Sequence, residues 1–82
     1  VNYVYILECK DGTLYTGWTT DIDRRLIEHN TGLGCKYTRS RYPVELRHLE
    51  EFATKEEALS REIAIKKLSR PQKLELIKDS EQ

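Results

Sequence analysis

With 82 residues, the chain has room for one domain, residues 1–82, and one modest core, since a domain this short buries only somewhat over about 60% of the surface its unfolded chain exposes. A hydrophobic share of 38% and a charged share of 34%, with apolar runs recurring along the chain, fit a soluble globular protein and not a disordered tail. No apolar run approaches the roughly 18 residues needed to span a bilayer, and Val1 to Lys10 lacks the basic-then-apolar order of an export signal, so membrane and secreted classes are disfavoured.

In chain order, Asn2 to Glu8 is filled by Tyr3, Val4, Tyr5, Ile6 and Leu7, which suits a buried strand. Lys10-Asp11-Gly12-Thr13 carries the Asp-Gly pair of a tight turn, and Leu14 to Trp18 resumes a strand pattern, giving an antiparallel hairpin. Thr20 or Asp21 can cap a helix running roughly Asp21 to Asn30, with Ile22, Leu26 and Ile27 on its apolar side and Asn30 and Gly32 ending it. Thr31 to Pro43 has no sustained period and reads as a basic loop. Val44 to Phe52 reads as a third strand through Val44, Leu46 and Leu49. Thr54-Lys55-Glu56-Glu57 has the form of a capping box, opening a helix whose apolar side is Ala58, Leu59, Ile63, Ile65 and Leu68. Ser69-Arg70-Pro71 offers a further cap for a helix over roughly Arg70 to Lys78, before a polar, fraying tail from Asp79 to Gln82. The order β-β-α-β-α-α makes a small α/β domain, a three-stranded antiparallel sheet flanked by helices.

Cys9 and Cys35 sit in no CxxC pair and at no structural-zinc spacing, so both read as free thiols, which favours a reducing cytoplasm. Fourteen basic residues balance fourteen acidic ones, which argues mildly against a nucleic-acid partner. The distribution is uneven, however: Arg24 to His48 holds six basic residues against two acidic ones, a local excess that forms either a basic face or a solvated surface.

Several residue pairs carry chemistry, each beside a plainer reading. Tyr5 and Tyr15 lie on adjacent strands around the Asp-Gly turn and either share a surface or simply fill the sheet. Gly17, without a Cβ, would let a backbone or a phosphate approach the second strand. Arg25 and His29, spaced i, i+4, share one helix face; an Arg fork and an imidazole suit a phosphate, unless Arg25 pairs with Asp21 or Glu28 and His29 is an idle surface group. Glu62 borders the apolar face of its helix, where it could hold a hard cation that takes few protein ligands, or merely pair with Lys66.

Tyr3-Val4-Tyr5, nine residues, Tyr15-Thr16-Gly17, then Arg25, His29 and Glu62 resemble the GIY-YIG nuclease pattern in order and spacing over most of the chain, most specifically at Leu14 to Gly17 and at Arg24 to Leu26 followed by His29-Asn30. Among its members the chain is most similar to the short, stand-alone bacterial type. Tyr3 replaces the first Gly of the family name, Thr16 replaces an Ile, Trp18 takes a position that is Lys in some relatives, and no equivalent is found of a polar residue that follows the metal Glu in larger members. The resemblance implies that Tyr5 is a general base, Tyr15 binds phosphate or nucleophile, Arg25 clamps phosphate, His29 assists, and Glu62 holds Mg²⁺ or Mn²⁺. It further implies one-metal hydrolysis of DNA leaving a 5′-phosphate and a 3′-hydroxyl. An unperturbed tyrosine has a pKa near about 10, so Tyr5 would need Arg25 or the metal nearby to become a phenolate at neutral pH. Within the loop, Lys36, Arg39 and Arg41 are expected to grip phosphates without reading bases. Two alternatives stand beside the endonuclease: a nucleic-acid-binding module that cuts poorly without a protein partner, and a protein-interaction domain suggested only by the zero net charge.

Overall fold

A strand with consecutive apolar residues must be covered on both faces, and β1 (Asn2–Glu8) is such a strand: Val4, Tyr5, Ile6 and Leu7 are each at most 1% exposed. The computed structural model describes residues 1–80 and places β1 in the middle of a three-stranded antiparallel sheet, between β2 (Leu14–Thr19) and β3 (Glu45–Phe52). Helices α1 (Ile22–Asn30), α2 (Lys55–Lys66) and α3 (Arg70–Ser80) complete the expected order β-β-α-β-α-α. Cys9 and Cys35 are free thiols, and among the described residues no helix is long and apolar enough to cross a membrane.

The Asp-Gly turn closes the hairpin as its chemistry requires. Gly12 takes φ 85°, and Asp11 Oδ1 accepts from both the backbone N–H (3.1 Å) and the hydroxyl (2.6 Å) of Thr13. Pleating then sends alternate β1 side chains to two cores. Val4 and Ile6 join Ala58 and Ile65 of α2 and Ile77 of α3, whereas Tyr5 and Leu7 join Cys9, Val44 and the α1 residues Ile22 and Leu26.

Local signals set the helix starts. Asp21, and not Thr20, caps α1 by accepting from Arg24 N–H (3.1 Å); Thr54 caps α2 by accepting from Glu57 N–H (3.2 Å). At α3 the Ser69 hydroxyl accepts from Gln72 N–H, and the Gln72 side chain accepts in return from Ser69 N–H. Asp79 and Ser80 remain helical where a frayed tail was expected, because the Ser80 hydroxyl bonds back to the Leu76 carbonyl and to His48; the rest of that expected tail lies outside the described residues.

Four apolar residues expected in the core face solvent. In α1 the sheet-facing positions are Ile22, Leu26 and His29, leaving Ile27 65% exposed; in α2 they are Ala58, Glu62 and Ile65, leaving Ile63 55% exposed. Leu46 and Leu49 are exposed because a β-bulge sits between their partners: Ile6 pairs with His48 but Leu7 pairs with Leu46. Both leucines thus share the Tyr5 face, at the end that α1 does not reach. His48, on the opposite face, is buried and satisfied by Glu50 Oε2 (2.6 Å) and the Ser80 hydroxyl, while Arg61 of α2 grips Glu50 through Nε (2.8 Å) and Nη2 (3.0 Å). This polar cluster ties β3 to α2 and α3.

Candidate functional site

Tyr5 projects from the middle of β1 and lies across Gly17, its register partner on β2. A Cβ on Gly17 would stand 2.6 Å from the Tyr5 hydroxyl and 3.1 Å from the Tyr15 ring. Gly17 is buried, so the close approach that its missing side chain permits is that of Tyr5, not of a backbone or a phosphate as the sequence had indicated. Crossing β2 in this way brings the Tyr5 hydroxyl toward α1, where the i, i+4 spacing of Arg25 and His29 presents both side chains to it. His29 is fully buried, and its Nε2 is 3.1 Å from Tyr5 Oη; the Arg25 guanidinium is close enough to the same phenol to favour its ionised form. Arg25 Nη1 meets Glu28 Oε1 at 3.1 Å, so Arg25 pairs with Glu28 and not Asp21. The ring of Tyr15 completes the cluster, 6.4 Å from Tyr5 and 5.5 Å from His29 between centroids.

Burial sets the resting charge of these groups. It raises the Tyr5 pKa above the ordinary phenol value; Arg25 opposes the shift without overcoming it, and the Glu62 carboxylate is near enough to add to it. Tyr15 is also raised, by burial first and then by the neighbouring Cys35 thiol. For His29, burial and the Arg25 charge push the imidazole down to about 4. At neutral pH the site therefore holds two phenols and a neutral imidazole around one guanidinium. Burial works against the Arg25 charge too, but the neighbouring Tyr5 and the Glu28 carboxylate outweigh it.

Glu62 comes from α2, on the other side of the sheet, on the helix face between Ala58 and Ile65. Its side chain is 14% exposed, and Oε2 is 3.6 Å from Lys66 Nζ. Among the described residues no group of three or more His, Cys, Asp or Glu side chains converges as a metal cage would. A lone carboxylate, near enough to the Tyr5 phenol to influence it, offers only oxygen, which suits a hard cation that keeps most of its ligands as water and phosphate, and does not suit zinc.

The loop from 31 to 44 contains no strand or helix, and it does something its charge did not reveal: it packs back into the site. Thr38 is fully buried, with Oγ1 2.6 Å from His29 Nδ1 and 3.3 Å from the Cys35 carbonyl. Gly34 permits this, because any Cβ there would run into His29 Nδ1 and stand 2.8 Å from Thr38 Oγ1. Tyr37 stacks on Tyr15, centroids 5.5 Å apart, and carries Arg41 4.3 Å above its own ring. Arg41 is an anchor and not the free phosphate ligand its charge suggested: Nε meets Asp11 Oδ2 at 3.1 Å, Nη1 donates to the Tyr37 carbonyl at 2.7 Å, and its backbone carbonyl accepts from Lys10 N–H. Lys36 and Arg39 are exposed. The contributions of Gly34, Cys35, Tyr37 and Thr38 went unread, although two glycines just after His29, Gly32 and Gly34, were a sign that the chain folds closely over that residue.

A family model described as the GIY-YIG catalytic domain matches residues 1–75. The chain belongs to the GIY-YIG family. Its relatives include UPF0213 proteins of Halobacterium salinarum, 60% identical over 73 residues (89% of this chain and 95% of the relative), and of Clostridium perfringens, 60% identical over 77 residues (94% and 83%). Among solved structures, the solution NMR structure of a UPF0213 protein from Bacillus halodurans matches with a TM-score of 0.62 at 53% identity, over 95% of this chain and 84% of that one. A solution NMR structure from E. faecalis matches with a TM-score of 0.64 at 49% identity, over 95% and 83%.

Proposed function

We propose that this GIY-YIG domain is an endonuclease that hydrolyses DNA phosphodiester bonds with the help of Mg²⁺ or Mn²⁺. The observation that carries the reading is the convergence on one phenol oxygen, that of Tyr5, of Arg25 and His29, with Tyr15 and Glu62 close by. A guanidinium has five N–H donors, and the Arg25 bond to Glu28 leaves others to grip two phosphate oxygens. With phosphate held there, Tyr5 accepts a proton from the attacking water and passes its own to His29 Nε2, so one proton moves onto the imidazole. The water oxygen bonds to phosphorus, the bond to the 3′ oxygen breaks, and that oxygen takes a proton from solvent. Tyr15 steadies the phosphate, and Glu62 is the residue that would hold the cation. A bound divalent ion supplies positive charge that polarises the phosphate and stabilises the departing oxygen.

Resting pKa directions define what binding must accomplish. Tyr5 sits above its ordinary value and His29 well below, so the proton stays on Tyr5 until charge arrives; a phosphate favours the imidazolium and a cation favours the phenolate. The zero net charge and these unready groups favour a second reading, a nucleic-acid-binding module that cuts poorly by itself.

Nicking of supercoiled plasmid in Mn²⁺ separates the two. Wild type and Lys66→Ala are expected to nick, whereas Glu62→Gln, which keeps size and helix propensity but loses the ligand charge, is expected to be inactive while still folding and binding DNA. Nicking that persists in Glu62→Gln removes the metal assignment. Absence of nicking by wild type, with salt-sensitive DNA binding retained, favours the binding module.

A further inference from the structure

The hydrogen bonds around His29 form a chain that starts at the Tyr5 phenol and ends at an acceptor-only backbone carbonyl. The Arg25 guanidinium, which can only donate, lies beside Tyr5 and favours a phenol that turns its own proton away from it. Tyr5 then has one proton to give, and His29 Nε2 lies 3.1 Å away. At the far end a backbone carbonyl can only accept, and the one proton of Thr38 Oγ1 is directed to the Cys35 carbonyl at 3.3 Å. With its proton on that carbonyl, Thr38 turns lone pairs toward His29 Nδ1, 2.6 Å away, and in this arrangement that nitrogen bears the hydrogen. Run in that sense, the bonds point one way, Tyr5 to His29 to Thr38 to Cys35.

We infer that Thr38, delivered by the loop, is a positioning residue that fixes His29 as its Nδ1–H tautomer and so keeps Nε2 free to take the proton of Tyr5. This rests on the endonuclease reading for its use, but not for its existence. Free imidazole mildly prefers the opposite tautomer, and a buried ring without an acceptor at Nδ1 would present N–H to Tyr5 and be unable to receive its proton. The depressed basicity of His29 agrees, since a single tautomer matters only for a ring that is neutral at rest. Gly34 supplies the space: it is the position at which a side chain would separate Thr38 from the ring. The loop is also held against the hairpin turn through Arg41 and Asp11, so Thr38 is part of a braced segment.

Long-range proton–nitrogen NMR correlations of the two histidine rings, recorded on free protein without DNA or metal, read the tautomer directly; His29→Gln identifies which signals belong to His29. The expected wild-type pattern is a protonated Nδ1 and a lone-pair Nε2. Thr38→Val should convert it to the Nε2–H form or a mixture and slow plasmid nicking by at least about 10-fold, with Thr38→Ser restoring both. Wild-type His29 found as Nε2–H, or a Thr38→Val tautomer identical to wild type, overturns the inference whatever the activity does. The expected tautomer pattern in a wild-type protein that never nicks supports the hydrogen-bond device and removes only the endonuclease reading.

Discussion

Replacing Gly17 by alanine tests the geometry of the site at its tightest point. The added Cβ would stand 2.6 Å from Tyr5 Oη and 2.7 Å from Tyr5 Cζ, where ordinary contact begins near 3.4 Å. Relief requires the phenol end to move by about 0.8 Å, and the ring is boxed in: it is 1% exposed, with His29 edge-on at 5.9 Å and Tyr15 at 6.4 Å. Overpacking of this kind costs about 1 to 3 kcal/mol, which at a urea slope near about 1 kcal/mol/M lowers the midpoint by roughly 1 to 3 M. The displaced hydroxyl also loses its alignment with His29 Nε2 and Arg25, and a misplacement approaching 1 Å can cost about 100-fold in rate. Urea titration gives the first number and plasmid nicking, under conditions where the variant is folded, gives the second. Gly12→Ala is the control. Nothing lies within 4 Å of a Cβ there, but φ is +85°, so it should lose about 1 to 2 kcal/mol through backbone strain and keep the nicking rate of its folded fraction. Wild-type nicking by a folded Gly17→Ala would refute the placement of Tyr5 at the reaction centre.

Two further outcomes follow from the loop and from His29. Neutralising Lys36 and Arg39 together should reduce the slope of log affinity for duplex DNA against log salt by about 1.8, at about 0.9 per phosphate contact, whereas Arg41→Ala should mainly loosen the loop and lower thermal stability; an unchanged slope in the double variant would remove the phosphate grip. His29 is about 4 in the fold and near 6.5 when unfolded, so below about pH 6.5 the unfolded chain binds a proton that the folded chain refuses, and stability falls as pH drops toward 4. The loss by pH 4.5 should be about 2 to 3 kcal/mol, much of the reserve of a domain this size, and a urea midpoint that His29→Gln makes no less pH-sensitive would contradict it.

Much of the fold was legible because its signals are local. The apolar run of β1, the Asp-Gly turn and the Thr54 cap each act within a few residues, and the Arg25 to His29 spacing is itself a statement of shared helix face. Other features depended on partners distant in sequence. The bulge that turns Leu46 and Leu49 outward is a property of the β1–β3 register, which neither strand announces alone. His29 reads as a surface residue until the loop closes on it, and Thr38 has no periodic pattern to mark it as buried. Charge counting picked Arg41 as a ligand for DNA, but its obligation to Asp11, thirty positions away, appears only when the hairpin turn and the loop meet.

The alternation of β1 ties chemistry to correct pairing. Since Val4 and Ile6 feed one core and Tyr5 and Leu7 the other, a slip of one residue would drive the phenol of Tyr5 against α2 and set Ile6 opposite His29. No tyrosine hydroxyl would then meet Arg25. On the endonuclease reading, a mispaired chain is not merely less stable but silent toward DNA, so cutting activity doubles as a readout of strand register. A random-mutagenesis screen scored on nicking would thus select for faithful pairing of the central strand along with the reacting groups themselves.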